Sequence, residues 1–97
     1  MGYEYRILFH LKDIEKFKST MVRFGGSPSP EKPNQFEFGA NENPEFHASA
    51  TVVLESNGIY LCDHGGNRSK AAFLFRNIVD EALTYSDSSD SVVVMLI

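Results

Sequence analysis

The sequence predicts an α+β fold: a two-layer sandwich with element order β-α-β-β-β-α-β, in which a mainly antiparallel sheet carries two helices on one face. Three observations predict it. Apolar residues alternate with polar ones in several short segments, two other segments repeat apolar residues at intervals of three and four, and an Asn-Gly pair separates two strand-like runs. Three consecutive strands without an intervening helix disfavour an open parallel sheet. The 97-residue length suits one domain spanning residues 1–97.

The first half of the chain predicts a strand, a helix and a loop. Tyr3–His10 alternates, with Tyr3, Tyr5, Ile7 and Phe9 on one side. Asp13 can cap a helix over Ile14–Phe24, whose apolar residues fall at helical spacing before Gly25-Gly26 stops it. The segment Ser27–Asn34 holds three prolines and predicts an irregular surface connection.

The second half predicts four strands and a helix. Gln35–Gly39 and His47–Glu55 alternate, a further strand follows Asn57-Gly58 and carries Cys62, and the last strand is Val92–Ile97. The second helix begins at Asn67 or Ser69, with Ala72, Phe75, Val79 and Ala82 or Leu83 at helical spacing, and Thr84–Ser91 forms a polar loop.

The Asn57-Gly58 pair predicts a tight hairpin turn. With this turn, Leu54 lies opposite Leu61 and Val53 opposite Cys62. Cys62 therefore lies on the sheet face away from Leu54 and Leu61, and its strand runs antiparallel to its predecessor.

Charge and composition limit the possible partners. The net charge is −4, and the nine basic residues are spread along the chain, which argues against binding to nucleic acid. No apolar run has the length of a membrane span, and no secretory signal is visible. The single cysteine fits a reducing compartment, so we expect a cytoplasmic protein.

One loop resembles an active site. The sequence LCDHGGNRSKAA, residues 61–72, fits the pattern Cys-x-x-Gly-x-x-Arg-Ser and resembles the signature loop of the cysteine-dependent protein tyrosine phosphatases. Its second part, GNRSKAA, also resembles the active loop of rhodanese sulfurtransferases. The resemblance implies a nucleophilic Cys62, an anion-binding Arg68 and a Ser69 hydroxyl that stabilises the thiolate.

Two other interpretations of this loop remain open. Gly65, Gly66, Asn67 and Arg68 could bind a small anion at the helix start without catalysis. Alternatively, Cys62 is a small apolar residue within a strand, as the antiparallel hairpin suggests, because both resembled families use largely parallel sheets. Asp63 beside the thiol favours this last interpretation, since a neighbouring carboxylate raises a thiol pKa.

The sequence predicts no metal centre and no cofactor. Cys62, Asp63 and His64 could be combined with His10 and His47, but structural zinc requires four converging ligands at a recognisable spacing. One cysteine and three scattered histidines do not supply this spacing.

An apolar surface gives the leading functional hypothesis. VVVMLI, residues 92–97, is apolar on both sides, and Leu8, Val53, Val93 and Met95 lie on the face away from the helices. Such a patch marks an interface, so we expect a non-enzymatic protein-interaction module that forms a homodimer or binds a protein partner. The alternative is a phosphatase or sulfurtransferase that uses the loop from Cys62 to Arg68.

Overall fold

The computed structural model of the chain describes residues 3–39, 49–65, 68–85 and 92–97, without the side chains of residues 68 and 85. Within these residues the chain forms six strands and two helices. In chain order they are β1 (Tyr3–Leu8), α1 (Ile14–Arg23), β2 (Ser27–Pro28), β3 (Gln35–Phe38), β4 (Ala50–Glu55), β5 (Gly58–Asp63), α2 (Arg68–Tyr85) and β6 (Val93–Leu96).

The six strands form one antiparallel sheet in the order β2-β3-β4-β5-β1-β6. The predicted α+β class is therefore confirmed. The first strand lies between β5 and the last strand, so β6 depends on β1 for its only pairing among the described strands. The outer strands are β2 on one side and β6 on the other.

Helix α1 forms as the sequence predicts. The Asp13 carboxylate accepts a hydrogen bond from the Lys16 backbone N–H at 3.1 Å, which satisfies a free donor of the first turn. Gly25 follows the helix with φ +96°, the left-handed conformation that ends many helices. Phe17 and Met21 are buried against the sheet, so the apolar stripe of this helix anchors it there.

Both helices cover the same face of the sheet. The strands contribute every second residue to a common core, and α2 adds residues at intervals of three and four. The buried residues include Ile7, Phe36, Phe38, Val52, Leu54, Ile59 and Leu61 from the strands, Phe17 and Met21 from α1, and Leu74, Ile78 and Ala82 from α2. Intervening strand residues lie on the opposite, helix-free face.

Several predicted boundaries are wrong. The first strand ends at Leu8, two residues before the predicted end at His10. The proline-rich segment predicted to be irregular contains β2, because Ser27 and Pro28 pair with Glu37 and Phe36. Helix α2 continues to Tyr85 and takes two residues from the predicted loop, since Ala82 still packs into the core. In the described part of the chain, neither helix is long and apolar enough to cross a membrane.

The predicted hairpin register is wrong by two residues. The turn is formed by Ser56 and Asn57, and Gly58 already belongs to β5, where it pairs with Glu55 and with Leu8. Gly58 has φ +140°, and a Cβ atom there would lie 2.1 Å from the Ile7 carbonyl oxygen. The glycine is therefore required by the close approach of β1. Because the shift is even, each side chain keeps its predicted face.

Candidate functional site

Cys62 lies on the helix-free face of β5, where the sequence places it. Its partners in the sheet are Thr51 on β4 and Glu4 on β1, and the thiol is half-buried. The prediction that Val53 lies opposite Cys62 is wrong, because the two-residue shift brings Thr51 there instead. A polar residue therefore faces the thiol across the strands.

A histidine contacts this thiol. The Cys62 Sγ lies 3.8 Å from His64 Nδ1, within the range of a hydrogen bond to sulfur. The other ring nitrogen, Nε2, lies 2.7 Å from the Thr51 hydroxyl. Thr51 in turn donates to Glu37 Oε2 at 2.6 Å. Four side chains from β3, β4, β5 and the residue after β5 thus form one connected series.

The hydrogen bonds assign the proton positions in this series. The Thr51 hydroxyl carries one hydrogen, which it donates to the Glu37 carboxylate, so it must accept the bond from His64. In the neutral imidazole of His64, Nε2 therefore carries the proton and the Nδ1 lone pair faces the Cys62 thiol. This arrangement has the order nucleophile, base and orienting group that activates side chains in covalent catalysis.

Further polar contacts extend this series on both sides. Gln35 Nε2 donates to Glu37 Oε1 at 2.8 Å, and the Tyr60 hydroxyl donates to the Glu4 carboxylate. We call this set the polar network. It comprises Gln35, Glu37, Thr51, His64, Cys62, Tyr60 and Glu4.

The acidic surroundings keep the thiol protonated. Burial raises the pKa of Cys62, and the negative charges of Glu4, Asp63 and Glu37 raise it further, while the hydrogen bond between the thiol and Tyr60 lowers it in part. The pKa of Tyr60 is also raised, first by its hydrogen bond to Glu4. The field here disfavours both a thiolate and an arriving anion.

The predicted anion-binding loop is described only in part. Asp63 is buried on the helix-covered face, and its carboxylate accepts a hydrogen bond from the Gly65 N–H at 2.8 Å. Ser69 is exposed. Gly66, Asn67 and the side chain of Arg68 lie outside the described residues. The anion-binding and phosphatase-like or sulfurtransferase-like assignments of this loop stay predictions.

Two features of the described residues bear on the predicted catalytic loop. The strand that carries Cys62 is antiparallel to both neighbours, unlike the sheets of the two resembled families. The thiol pKa is raised, whereas a phosphate-binding cysteine needs a lowered one. Within the described residues, no group of three or more His, Cys, Asp or Glu side chains is arranged to hold a metal ion.

The four predicted interface residues lie on the helix-free face but do not form one patch. Val93 and Met95 on β6 are exposed, and Leu8 beside Val93 is half-buried. Val53 on β4 is half-buried, and it is separated from Met95 by two strands, whose residues Tyr60 and Arg6 lie between them. The apolar surface thus concentrates on β6.

Sequence reasoning missed the pairing of Cys62 with His64 and Thr51. The available signal was that Glu4, Tyr60, Thr51 and Glu37 all occupy positions of the helix-free face. Joining them required the correct cross-strand register, which the turn prediction shifted by two residues. No protein-family model, curated protein or solved structure matches this chain.

Proposed function

We propose that this chain is a small interaction module that self-associates by pairing the β6 strands of two copies. The observation that carries the proposal is the exposure of β6 on both faces. Its four residues are exposed by 46, 44, 47 and 67%, in order from Val93 to Leu96, and Ile97 by 59%. A strand that is apolar on both sides and covered on neither is typical of a protein interface.

The backbone of β6 supports edge pairing. Ile97 donates its N–H to the Glu4 carbonyl at 2.8 Å, so alternate residues of β6 bond to β1. Because this alternation is strict in an antiparallel pair, Val94 and Leu96 direct their N–H and C=O groups toward the outer edge. No other described strand pairs with that edge. A partner strand would find a ready row of donors and acceptors.

A second copy of the chain is the partner that best fits this edge. An antiparallel strand is complementary to itself about a twofold axis, as a symmetric dimer interface requires. Residues 92–97 carry no charged side chain, so two copies meet there without the repulsion that a net charge of −4 creates elsewhere. Covering the exposed side chains of both copies completely would remove at most on the order of 1,000 Å² from water, the size of a weak or transient interface.

The assembly would stop at two copies. The opposite edge strand, β2, has two residues and contains Pro28, which lacks a backbone donor. Pairing of the two β6 edges therefore uses the one apolar edge of each sheet. This proposal keeps Val93 and Met95 from the predicted interface and makes Leu8 and Val53 peripheral.

Sedimentation analysis across protein concentration tests the proposal. We expect a dimer for the wild type and a monomer for Val93→Lys, because the lysine places a charge on both sides of the twofold axis. Val22→Lys is the matched control, since Val22 is a valine on α1 with 52% exposure. A monomeric wild type, or a Val93→Lys variant that associates like Val22→Lys, would contradict the proposal.

A further inference from the structure

The series from Cys62 to Glu37 contains the parts of a base-assisted nucleophile. His64 Nδ1 stands 3.8 Å from the thiol and has a free lone pair in the tautomer assigned above. Thr51 holds the opposite ring nitrogen at 2.7 Å. Glu37 holds Thr51, and Gln35 holds the second oxygen of Glu37 at 2.8 Å. Each member after the thiol is fixed by the next, as a positioned base requires.

The electrostatic surroundings define which reagents this thiol can meet. Glu4 lies opposite it on β1, and Glu37 lies on β3 beyond Thr51; Tyr60 and Asp63 are on the same strand, with Asp63 on the helix-covered face. With carboxylates around it, the thiol stays protonated and requires a base in order to react at neutral pH. The same carboxylates repel anionic reagents. An uncharged electrophile fits this field best.

We propose that Cys62 adds to uncharged α,β-unsaturated carbonyl compounds, with His64 as the base. The Cys62 sulfur forms a bond to the β-carbon while the carbon–carbon π bond breaks toward the carbonyl. The thiol proton passes to His64 Nδ1 and then to the α-carbon. The product is a thioether, and no leaving group, oxidant or reductant takes part.

The reaction class follows from what the site holds. Addition needs a nucleophile and a group that takes a proton and returns it, which are Cys62 and His64. The histidinium formed in the step lies beside Cys62 and offsets the negative charge that develops on the carbonyl oxygen. Cys62 lies on β5, two strands from β6, so this inference is independent of the proposed self-association.

The rate of modification by N-ethylmaleimide, an uncharged reagent of this class, tests the proposal. We expect the wild type to react at pH 7 at least about tenfold faster than His64→Gln, a threshold set below the roughly 100-fold or more that a positioned base typically supplies. As the pH rises through the raised pKa of the thiol, the two rates should converge, because the thiolate then forms without a base. A carboxylated maleimide should react more slowly than N-ethylmaleimide with the folded wild type, and equally with the urea-unfolded chain.

A matched control separates the base from simple exposure. In Val53→Cys combined with Cys62→Ser, the thiol occupies another half-buried position of the helix-free face, beside Tyr60 and away from His64. This thiol should react at pH 7 as slowly as that of His64→Gln. Thr51 is a positioning residue, so Thr51→Val should steepen the rise of rate with pH, and Thr51→Ser should restore the wild-type profile.

Two results would overturn the proposal. One is a His64→Gln rate within about twofold of the wild type at pH 7, given that base assistance is worth far more than this. The other is a wild-type rate that rises tenfold per pH unit from pH 6, as thiolate formation alone dictates. Circular dichroism of each variant would establish that the sheet is retained.

Discussion

The two edges of the sheet are built in opposite ways. At one edge, β2 has two residues, both exposed, and one of them is Pro28. At the other edge, β6 has four residues, all apolar and all exposed. Natural sheets protect their edges with short strands, prolines and charges, and β2 shows two of these devices. β6 shows none of them, and it is the edge that the proposed second copy would cover.

The helix-free face also differs in polarity between its β2 side and its β6 side. Near β2 and the centre of the sheet, this face carries the polar network, whose side chains hydrogen-bond to one another. Near β6, it carries Val93 and Met95. The proposed partner of the β6 edge would therefore meet apolar atoms and outward-pointing backbone groups, and it would leave the half-buried thiol of Cys62 uncovered.

The largest expected effect is a loss of stability at the contact between β5 and β1, the strand on which β6 depends. Gly58→Ala should lower the free energy of unfolding by about 3 kcal/mol or more, because the added Cβ would meet the Ile7 carbonyl and the φ of +140° strains any other residue. β1 is held to β5 at this point and carries β6, so amides of β6 should exchange faster than those of β3. Urea unfolding and hydrogen exchange measure both effects.

Gly25→Ala serves as the control for backbone strain alone. Gly25 has φ +96°, but a Cβ there would meet nothing within 4 Å. The loss should be about 1–2 kcal/mol, the cost of the left-handed conformation. If both substitutions lowered the free energy of unfolding equally, the close contact of Gly58 with β1 would not contribute to stability.

Adding a proline to the β6 edge should weaken self-association, whereas removing the proline of the β2 edge should not change it. Val94→Pro removes an N–H that points outward and leaves the bonds to β1 intact, so the dimer Kd should rise about 10- to 100-fold, or about 1.4–2.8 kcal/mol. Pro28→Val restores a donor on the two-residue edge and should leave the Kd unchanged. Analytical ultracentrifugation measures both. A stronger effect at Pro28 would reverse the assignment of the two edges.

High pH should lower the stability of the folded chain through Tyr60, which lies on the helix-free face between the two edges. The folded-state pKa of Tyr60 is raised above its ordinary value of about 10, so its contribution is present below pH 10 and is lost as the pH rises further. The urea midpoint of the wild type should therefore fall above pH 10. Tyr60→Phe should show a smaller fall when both are measured in a Cys62→Ser background. If the urea midpoints of the two chains fell equally with pH, Tyr60 would not be the cause of the fall.

The smallest effect concerns the ion pair nearest to β6 on the helix-free face. Arg6 and Glu55 lie 2.6 Å apart, with side chains 39% and 33% exposed. Such a pair contributes little, so Glu55→Gln should cost about 0.5 kcal/mol. Glu81→Gln, which breaks the 3.2 Å pair with Arg23 between the helices, should cost a similar amount. Urea unfolding at low and high salt would check both values, and a loss at Glu55 that salt does not reduce would contradict a solvent-screened pair.

Local chemistry made most of the fold predictable. The alternation in β1, the Asp13 cap and the helical spacing in α1 each depend on neighbours in the sequence, and the structure confirms them. The register of the β4–β5 hairpin failed because the conformation of Gly58 is set by β1, about fifty residues earlier in the chain. A contact so distant in sequence leaves no local signal.

The candidate site shows the same limit. The face of Cys62 was predictable because it depends only on alternation. Its partner was not, because the partner depends on which residue of β4 lies opposite. The predicted Val53 would have left the thiol without an anchored base, whereas Thr51 holds His64 in place.

The exposed β6 strand also affects how readily the chain aggregates when it partly unfolds. Residues 92–97 form a six-residue run without charge, proline or glycine, which is the composition of segments that stack into amyloid fibrils. Pairing with β1 on one side and with a second copy on the other would keep this run from recruiting further chains. The same six residues that join two copies would therefore set how long the protein survives heating without precipitating.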